Sequence, residues 1–235
     1  MARRLEGKHA VVTGASSGIG RALSVAFGAE GATVWMGARR EDALRDAARE
    51  VEDAGGVARP LRLDVTDEDS VARFAERVEA CDLLVNNAGI GGWGAVDDID
   101  VATWRRVLDT NLTGPFLVTK ALLPKLRARS GRRQVVNIVS VSGKSAHAEN
   151  GAYAASKFGL RGWTEALASE LAEDGIRVTA VLPGYVATPL VSGAASARKM
   201  IQPDDLARYI VDLALLPESM FVDEVVVWPW EMYTS

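Results

Sequence analysis

The chain has 235 residues, 48% of them hydrophobic and 25% charged, with a formal net charge of -4, the composition of a soluble globular protein with one substantial core. Acids and bases are interspersed, which argues against a nucleic-acid surface, and no apolar run approaches the ~20 residues of a membrane span. Cys81 is the only cysteine, so an internal disulfide and a cysteine metal cluster are excluded; His9 and His147 are the only histidines, and neither has the motif context of a metal site or a Ser-His-Asp triad.

The first residues, Met-Ala-Arg-Arg-Leu-Glu-Gly-Lys, lack the apolar core of a secretory signal, so a cytoplasmic, reduced setting is the expectation. A β-branched run at 9–13 predicts a strand; a glycine turn and a helix to about 29 follow. A strand at 33–37 precedes an alanine- and charge-rich helix at 41–54. A strand at 58–63 leads into a helix at 67–79, with Asp and Thr available as caps. The apolar run at 82–86 predicts a fourth strand. A long helix covers 101–127, disturbed at Gly114-Pro115. Strands at 134–139 and 177–182 flank a helix at 152–173, and a helix at 203–215, opened by Pro203, precedes a strand at 224–228. Alternation of this kind predicts an α/β fold: one Rossmann-like domain over 1–235, a doubly wound parallel sheet of about seven strands with helices on both faces. Near-continuous apolar strands such as Leu83-Leu84-Val85 suit a sheet buried on both sides. Ligands of such sheets collect outside the carboxyl ends of the strands.

Four of those ends carry motifs, after Val12-Thr13, after Val85-Asn86, around Val139-Ser140 and at Leu182-Pro183-Gly184, and the fold predicts that they converge on one crevice. Gly14-Ala15-Ser16-Ser17-Gly18-Ile19-Gly20 directly follows the first strand. Glycines let the backbone turn tightly and approach a pyrophosphate, and the helix behind them offers free N–H groups and a positive dipole end. The end of the second strand is where an adenosine ribose is read. There Gly37-Ala38-Arg39-Arg40 has no acid before Glu41. A guanidinium binds a 2′-phosphate bidentately where a carboxylate would repel it, which favours NADP over NAD; solvated surface arginines are the plain alternative. Asp64, in Leu63-Asp64-Val65, is placed either to accept from an adenine amino group or to start a helix. Asn86-Asn87-Ala88-Gly89 suits a loop lying flat against a ligand.

Tyr153 and Lys157 stand one helical turn apart in Tyr-Ala-Ala-Ser-Lys, so both project from one face. An ammonium beside a phenol favours the phenolate. Moving a phenol from about 10 to about 7 requires ~4 kcal/mol, close to what a unit charge supplies at ~4 Å with an effective dielectric of ~20. That would make Tyr153 a proton donor and acceptor at neutral pH. An ordinary surface i, i+4 contact is the competing reading.

Together these motifs, with Asn111, Ser140 and Pro183-Gly184-Tyr185-Val186-Ala187-Thr188, resemble the short-chain dehydrogenase/reductase family; they span residues 13–188, and Ser140 lies 13 positions before Tyr153. The resemblance implies a tetrad. Tyr153 would be the acid/base; Lys157 would lower its pKa and hold the nicotinamide ribose. Ser140 would orient the substrate oxygen, and Asn111 would bend its helix and hold a water behind Lys157. It further implies cofactor contacts from Gly14, Ser16, Ser17, Gly18, Ile19, Gly20, Asp64, Val65, Asn87, Ala88, Gly89, Pro183, Gly184, Val186 and Thr188, beside Arg39, Tyr153 and Lys157. Ser142 competes for the serine role, but its interval to Tyr153 is wrong and it would line the substrate pocket instead.

Family members often carry a longer helical lid after the Pro-Gly motif. Here only 189–201 is available, small and polar at Ser192-Gly193-Ala194-Ala195-Ser196, which implies a short lid. The ending, Val225-Val226-Val227-Trp228-Pro229, looks more like the branch acting on small hydroxy acids, serine and aldehydes. Trp93, His147, Asn150 and Tyr185 are expected around the substrate. The implied activity is an NADP-dependent carbonyl reductase or alcohol dehydrogenase of small molecules, without a metal, a nucleic-acid partner or a membrane. Family habit implies a homodimer or homotetramer, with helices near 101–127 and 152–173 at its interfaces. A dinucleotide-binding regulator or scaffold without chemistry is the rival; a sugar-nucleotide epimerase, which shares the Tyr-x-x-x-Lys pair, lacks its usual glycine spacing and larger substrate domain here.

Overall fold

A computed structural model of the chain describes residues 3–191 and 199–233. Seven strands form one sheet: β1 (His9–Thr13), β2 (Thr33–Ala38), β3 (Val57–Arg62), β4 (Leu83–Asn86), β5 (Arg133–Ile138), β6 (Ile176–Pro183) and β7 (Glu224–Val227). Their order is β3-β2-β1-β4-β5-β6-β7, and every pairing is parallel. The helices are α1 (Gly18–Ala29), α2 (Glu41–Asp53), α3 (Glu68–Arg77), α4 (Val101–Leu108), α5 (Gly114–Arg127), α6 (Gly151–Leu171) and α7 (Pro203–Ala214). The sheet, its order and its parallel pairing match the expected Rossmann-like architecture.

Successive residues of a strand point to opposite faces, and the inner strands are apolar on both. Val12, Val34, Val85, Val136 and Val181 join Leu23 and Phe27 of α1, Leu44 of α2 and Ile210 of α7 in one core. Val11, Trp35, Leu84, Val135 and Val178 join Phe74 of α3, Leu122 of α5 and Leu167 of α6 in the other. Chain order reverses between β1 and β4, so the crevice beyond their carboxyl ends is the topological switch point of the sheet. The motif-bearing loops after β1, β4, β5 and β6 open onto that edge.

The long helix is interrupted earlier than its sequence suggests. Asp109–Thr113 forms a π turn between α4 and α5, closed by the Gly114 N–H on the Asp109 carbonyl. Pro115 supplies the reason: it has no N–H to return to the Asn111 carbonyl, so the α-helical register fails one turn before the proline rather than at it. Asn111 sits in that turn and is fully buried.

Candidate active site

The glycine turn is built by φ and by space. Gly14 and Gly18 have φ of 66° and 54°, a region L side chains avoid. A Cβ on Gly14 would stand 2.9 Å from the Ala88 Cα, and one on Gly18 3.1 Å from Thr188 Cγ2. Ser17 precedes α1 without a side-chain cap bond, leaving first-turn N–H groups for an anion. Asn87 Nδ2 donates to the Thr13 carbonyl at 2.9 Å, and Thr13 Oγ1 accepts from the N–H groups of Asn87 and Ala88 at 3.0 Å each. These bonds lock the ends of β1 and β4 together across the switch point.

A cleft runs along this edge. Arg39, Arg40 and Asp64 wall one end; Gly14, Ser16, Ser17, Gly18 and Ile19 its middle; Ser140, Tyr153 and Lys157 the other. Val65, Asn87, Ala88, Gly89, Pro183, Gly184, Val186 and Thr188 also border it. Gly20 does not. A Cβ there would lie 2.4 Å from the Gly14 carbonyl oxygen and 2.5 Å from Asn87 Nδ2, so Gly20 lets α1 seat against the turn instead of facing a ligand. Arg40 donates to Ser17 Oγ at 2.7 Å and to Ser16 Oγ at 3.2 Å, and so joins Arg39 in this wall. Asp64 accepts from the Thr66 N–H and hydroxyl at 3.1 and 2.8 Å. Burial pushes its pKa up, but the Thr66 bonds and the charges of Arg39 and Arg62 prevail and hold it below the usual value. The helix cap is Asp67, which accepts from Asp69 N and Ser70 N.

At the other end, Ser140 closes β5 and Tyr153 and Lys157 rise from the first turns of α6. The Ser140 hydroxyl accepts from the Ser142 N–H at 3.1 Å and is hydrogen-bonded to Tyr153. Lys157 is buried; its Nζ donates to the Ile138 carbonyl at 2.9 Å and lies 5.6 Å from the Tyr153 ring centroid. The electrostatics differ from the spacing argument. Burial raises the Tyr153 pKa, and the Ser140 bond only partly offsets it. Burial also lowers Lys157 to about 8. Lys157 is buried and Tyr153 half-buried, and groups drawn out of water resist charge; the i, i+4 spacing carries no information about depth. Asn111 Nδ2 donates to the Ile90 carbonyl at 2.9 Å and Ser156 Oγ at 3.0 Å, while its Oδ1 accepts from the Ile90 N–H at 2.8 Å. It therefore clamps the loop after β4 against α6.

Beyond Tyr153, the Trp93 indole stacks on the phenol ring at 5.7 Å between centroids. It lies across Gly91, where a Cβ would come within 1.5 Å of it; that dependence on a neighbouring glycine left no trace in the motif reading. Asn150 donates to Ser142 Oγ at 3.1 Å. His147 and Tyr185 are exposed, and neither they nor Trp93, Ser142 and Asn150 belong to the walls of the cleft. Ile90 and Thr110 line the cleft without having been singled out; each sits within a residue of a motif. The described residues beside the expected lid are joined by a bridge between Val186 and Ile201, and Pro189, Leu190 and Val191 border the cleft. Residues 192–198 lie outside the described residues. Among the described residues no three His, Cys, Asp or Glu side chains are grouped to hold a metal ion, and no helix is long and apolar enough to cross a membrane.

The sequence profile of the short chain dehydrogenases matches residues 8–199. The chain is 42% identical to a cis-4-hydroxycyclohexanecarboxylate dehydrogenase of Sinomonas cyclohexanicum, over 87% of this chain and 88% of that protein. Its fold is similar to that of a metagenomic short-chain oxidoreductase in complex with NADP (TM-score 0.84, 37% identity, 96% of this chain and 98% of the other). It is also similar to the 3-ketoacyl-(acyl-carrier-protein) reductase of Brucella melitensis complexed with NADH (TM-score 0.88, 30% identity, again 96% and 98%).

Proposed function

Because the chain belongs to the short chain dehydrogenase family, we propose that it is an NADP(H)-dependent oxidoreductase that interconverts a small ketone or aldehyde and its alcohol. The observation that carries this reading is the convergence of Ser140, Tyr153 and Lys157 at one end of a cleft whose middle is a glycine cradle and whose far end holds two arginines. The cradle fits a dinucleotide: Gly14 and Gly18 occupy backbone conformations and spaces that a side chain would fill. Gly14 to Ile19 would hold the pyrophosphate, Asp64 and Val65 the adenine, and Val186 and Thr188 the carboxamide end. The dinucleotide, when bound, supplies the hydride.

The chain's own residues handle the proton and the orientation. The Ser140 hydroxyl holds the substrate oxygen, and the Tyr153 hydroxyl gives it a proton in reduction or takes one in oxidation. Lys157 grips the ribose, whose hydroxyls would give its ammonium polar partners besides the Ile138 carbonyl. Asn111 positions the loop carrying Gly89 and Ile90 and steadies Ser156 behind Lys157. Arg39 and Arg40 favour NADP: solved relatives carry NADP or NADH, and a base without a competing acid at the end of β2 selects the phosphorylated ribose. The whole chain acts as one domain, with 189–201 as a short lid, and assembles as a homodimer or homotetramer through α4, α5 and α6.

The test mixes the enzyme with NADPH, and in parallel NADH, and a panel of ketones and aldehydes, following loss of the reduced cofactor. Turnover is expected, and Tyr153→Phe should lower it at least 100-fold while cofactor binding persists; unchanged turnover in that variant rejects the role of Tyr153.

A further inference from the structure

Gly91-Gly92-Trp93-Gly94, between β4 and α4, presents a single side chain, and each glycine helps to place it. The indole lies across Gly91, where a Cβ would come within 1.5 Å of it; a Cβ on Gly92 would stand 2.5 Å from Val107 Cγ2, so the loop rests directly on α4. The Gly94 N–H donates to the Glu149 carbonyl at 2.8 Å. Glu149 has φ of 61°, a left-handed conformation that costs a non-glycine residue energy and collects at functional sites. At the other end, the Asn111 side chain holds both backbone groups of Ile90, at 2.8 and 2.9 Å. A loop pinned at Ile90, Gly92 and Gly94 fixes the residue carried between those points.

What Trp93 meets is Tyr153. The two rings stack with centroids 5.7 Å apart and planes 24° from parallel. Trp93 is 56% exposed and is not among the walls of the cleft, so it neither builds the core nor faces the ligand space. The phenol has need of support. Tyr153 stands on the first turn of α6, where helices fray, and its hydroxyl is hydrogen-bonded to Ser140. One bond at the tip leaves a ring free to tilt about it. A stacked indole fixes the ring plane, and proton transfer is sensitive to such geometry. The same indole keeps water from one side of the ring, and burial is what raises the Tyr153 pKa. The charged group beside the phenol is Lys157, 5.6 Å from the ring centroid. Gly91-Gly92-Trp93-Gly94 brings no ionisable side chain to it, and the end of β5 brings the Ser140 hydroxyl.

We propose that Trp93 is a positioning residue for the proton transfer: stacked on the Tyr153 ring, it holds the phenol against Ser140 and shields it from water without touching substrate or cofactor. This rests on the redox reading above and adds a residue to its machinery.

Two independent variants remove the stack. Trp93→Ala deletes the indole; Gly91→Ala keeps it but fills the space in which it lies, and carries the test should Trp93→Ala fail to fold. An aromatic pair contributes enough for about a 2- to 10-fold effect. The kcat should fall by that factor in both variants with the KM for the nicotinamide cofactor unchanged, and Trp93→Phe, which keeps a ring on the phenol, should recover most of it. The ionisation that governs kcat for alcohol oxidation should move to lower pH in both, because water then reaches a phenol whose pKa burial had raised. A merely structural loss lowers kcat at every pH and leaves the profile where it was. Fluorine NMR of protein labelled with meta-fluorotyrosine reads the same titration without turnover: the Tyr153 signal is the one missing from Tyr153→Phe, and fluorine lets the phenol titrate before alkaline unfolding. A Tyr153 signal that titrates at the wild-type pH in both variants overturns the proposal, as does an unchanged kcat in both. A shifted signal in a protein that turns over no carbonyl compound would keep the shielding contact and reject the redox function; turnover with an unmoved signal would do the reverse.

Discussion

Lys157 is a cost to the free protein. Its ammonium titrates near 8 when folded, against an ordinary value of 10.5, and burial is the cause. The unfolded chain therefore binds more protons between those two values, so stability rises with pH across that window and the full penalty is present below it. A shift of this size corresponds to about 3 kcal/mol, part of which the bond to the Ile138 carbonyl returns. Lys157→Met should accordingly stabilise the ligand-free protein by ~1–3 kcal/mol at pH 7 and flatten its pH dependence between 8 and 10.5, while removing activity. Urea denaturation at pH 7 and pH 10 measures both; a variant less stable at pH 7 would contradict the burial argument. At the far end of the cleft stand two charged donors, Arg39 and Arg40, the second bonded to Ser16 and Ser17. A charge-assisted bond contributes about 1.5–3 kcal/mol, so Arg39→Ala and Arg40→Ala should each lower the NADPH-to-NADH ratio of kcat/KM by about 10-fold or more. An unchanged ratio in both would mean that neither reads the phosphate. Arg40→Ala also removes the bonds to Ser16 and Ser17, so its effect on NADH alone gauges the turn itself.

The glycine turn and the π turn set how elements meet. Gly20 leaves no room for a methyl group between α1, the Gly14 carbonyl and Asn87; the carbonyl is backbone, and the Asn87 amide is tied to the Thr13 carbonyl. Gly20→Ala should cost about 1–3 kcal/mol by overpacking and weaken dinucleotide binding although the residue faces no ligand; thermal unfolding with and without NADP reads both, and an unshifted midpoint would refute the packing role. The sequence could supply the glycines but not this division of labour, because Gly14, Gly18 and Gly20 look alike until the backbone is folded. The strands were legible within about a residue, since runs such as Leu83-Leu84-Val85 are buried on both faces and tolerate no other element. The break in the long helix was legible in kind but not in place: Pro115 is visible, while its effect falls on the carbonyl of Asn111. The Tyr153–Lys157 face was legible from spacing, and the burial of Lys157 was not. The stacking of Trp93 depends on the absence of a side chain at Gly91, a contact that no local pattern encodes.

On the scale of the whole molecule, the sheet is covered on both faces, yet the outer sides of α4, α5 and α6 carry large apolar side chains among their charges. Trp104, Phe116 and Phe158 are 40%, 44% and 44% exposed, and Phe116 meets Trp163 of α6 edge to face at 6.2 Å, which joins the outer faces of α5 and α6. Clustered apolar exposure of this kind marks an interaction surface, and a stable one buries roughly 800 Å² on each partner. The same helix α6 carries Lys157 inward and Phe158 outward, so a partner seated on the outer side would stiffen the element that holds the proton-transfer pair. Light scattering should then find a dimer or tetramer whose melting temperature rises with protein concentration, as mass action requires. Phe116→Asp combined with Phe158→Asp places two charges where apolar surface is needed. It should yield a smaller species with a concentration-independent melting temperature. A wild-type monomer, or a double variant that keeps the wild-type mass, would remove α5 and α6 from the interface.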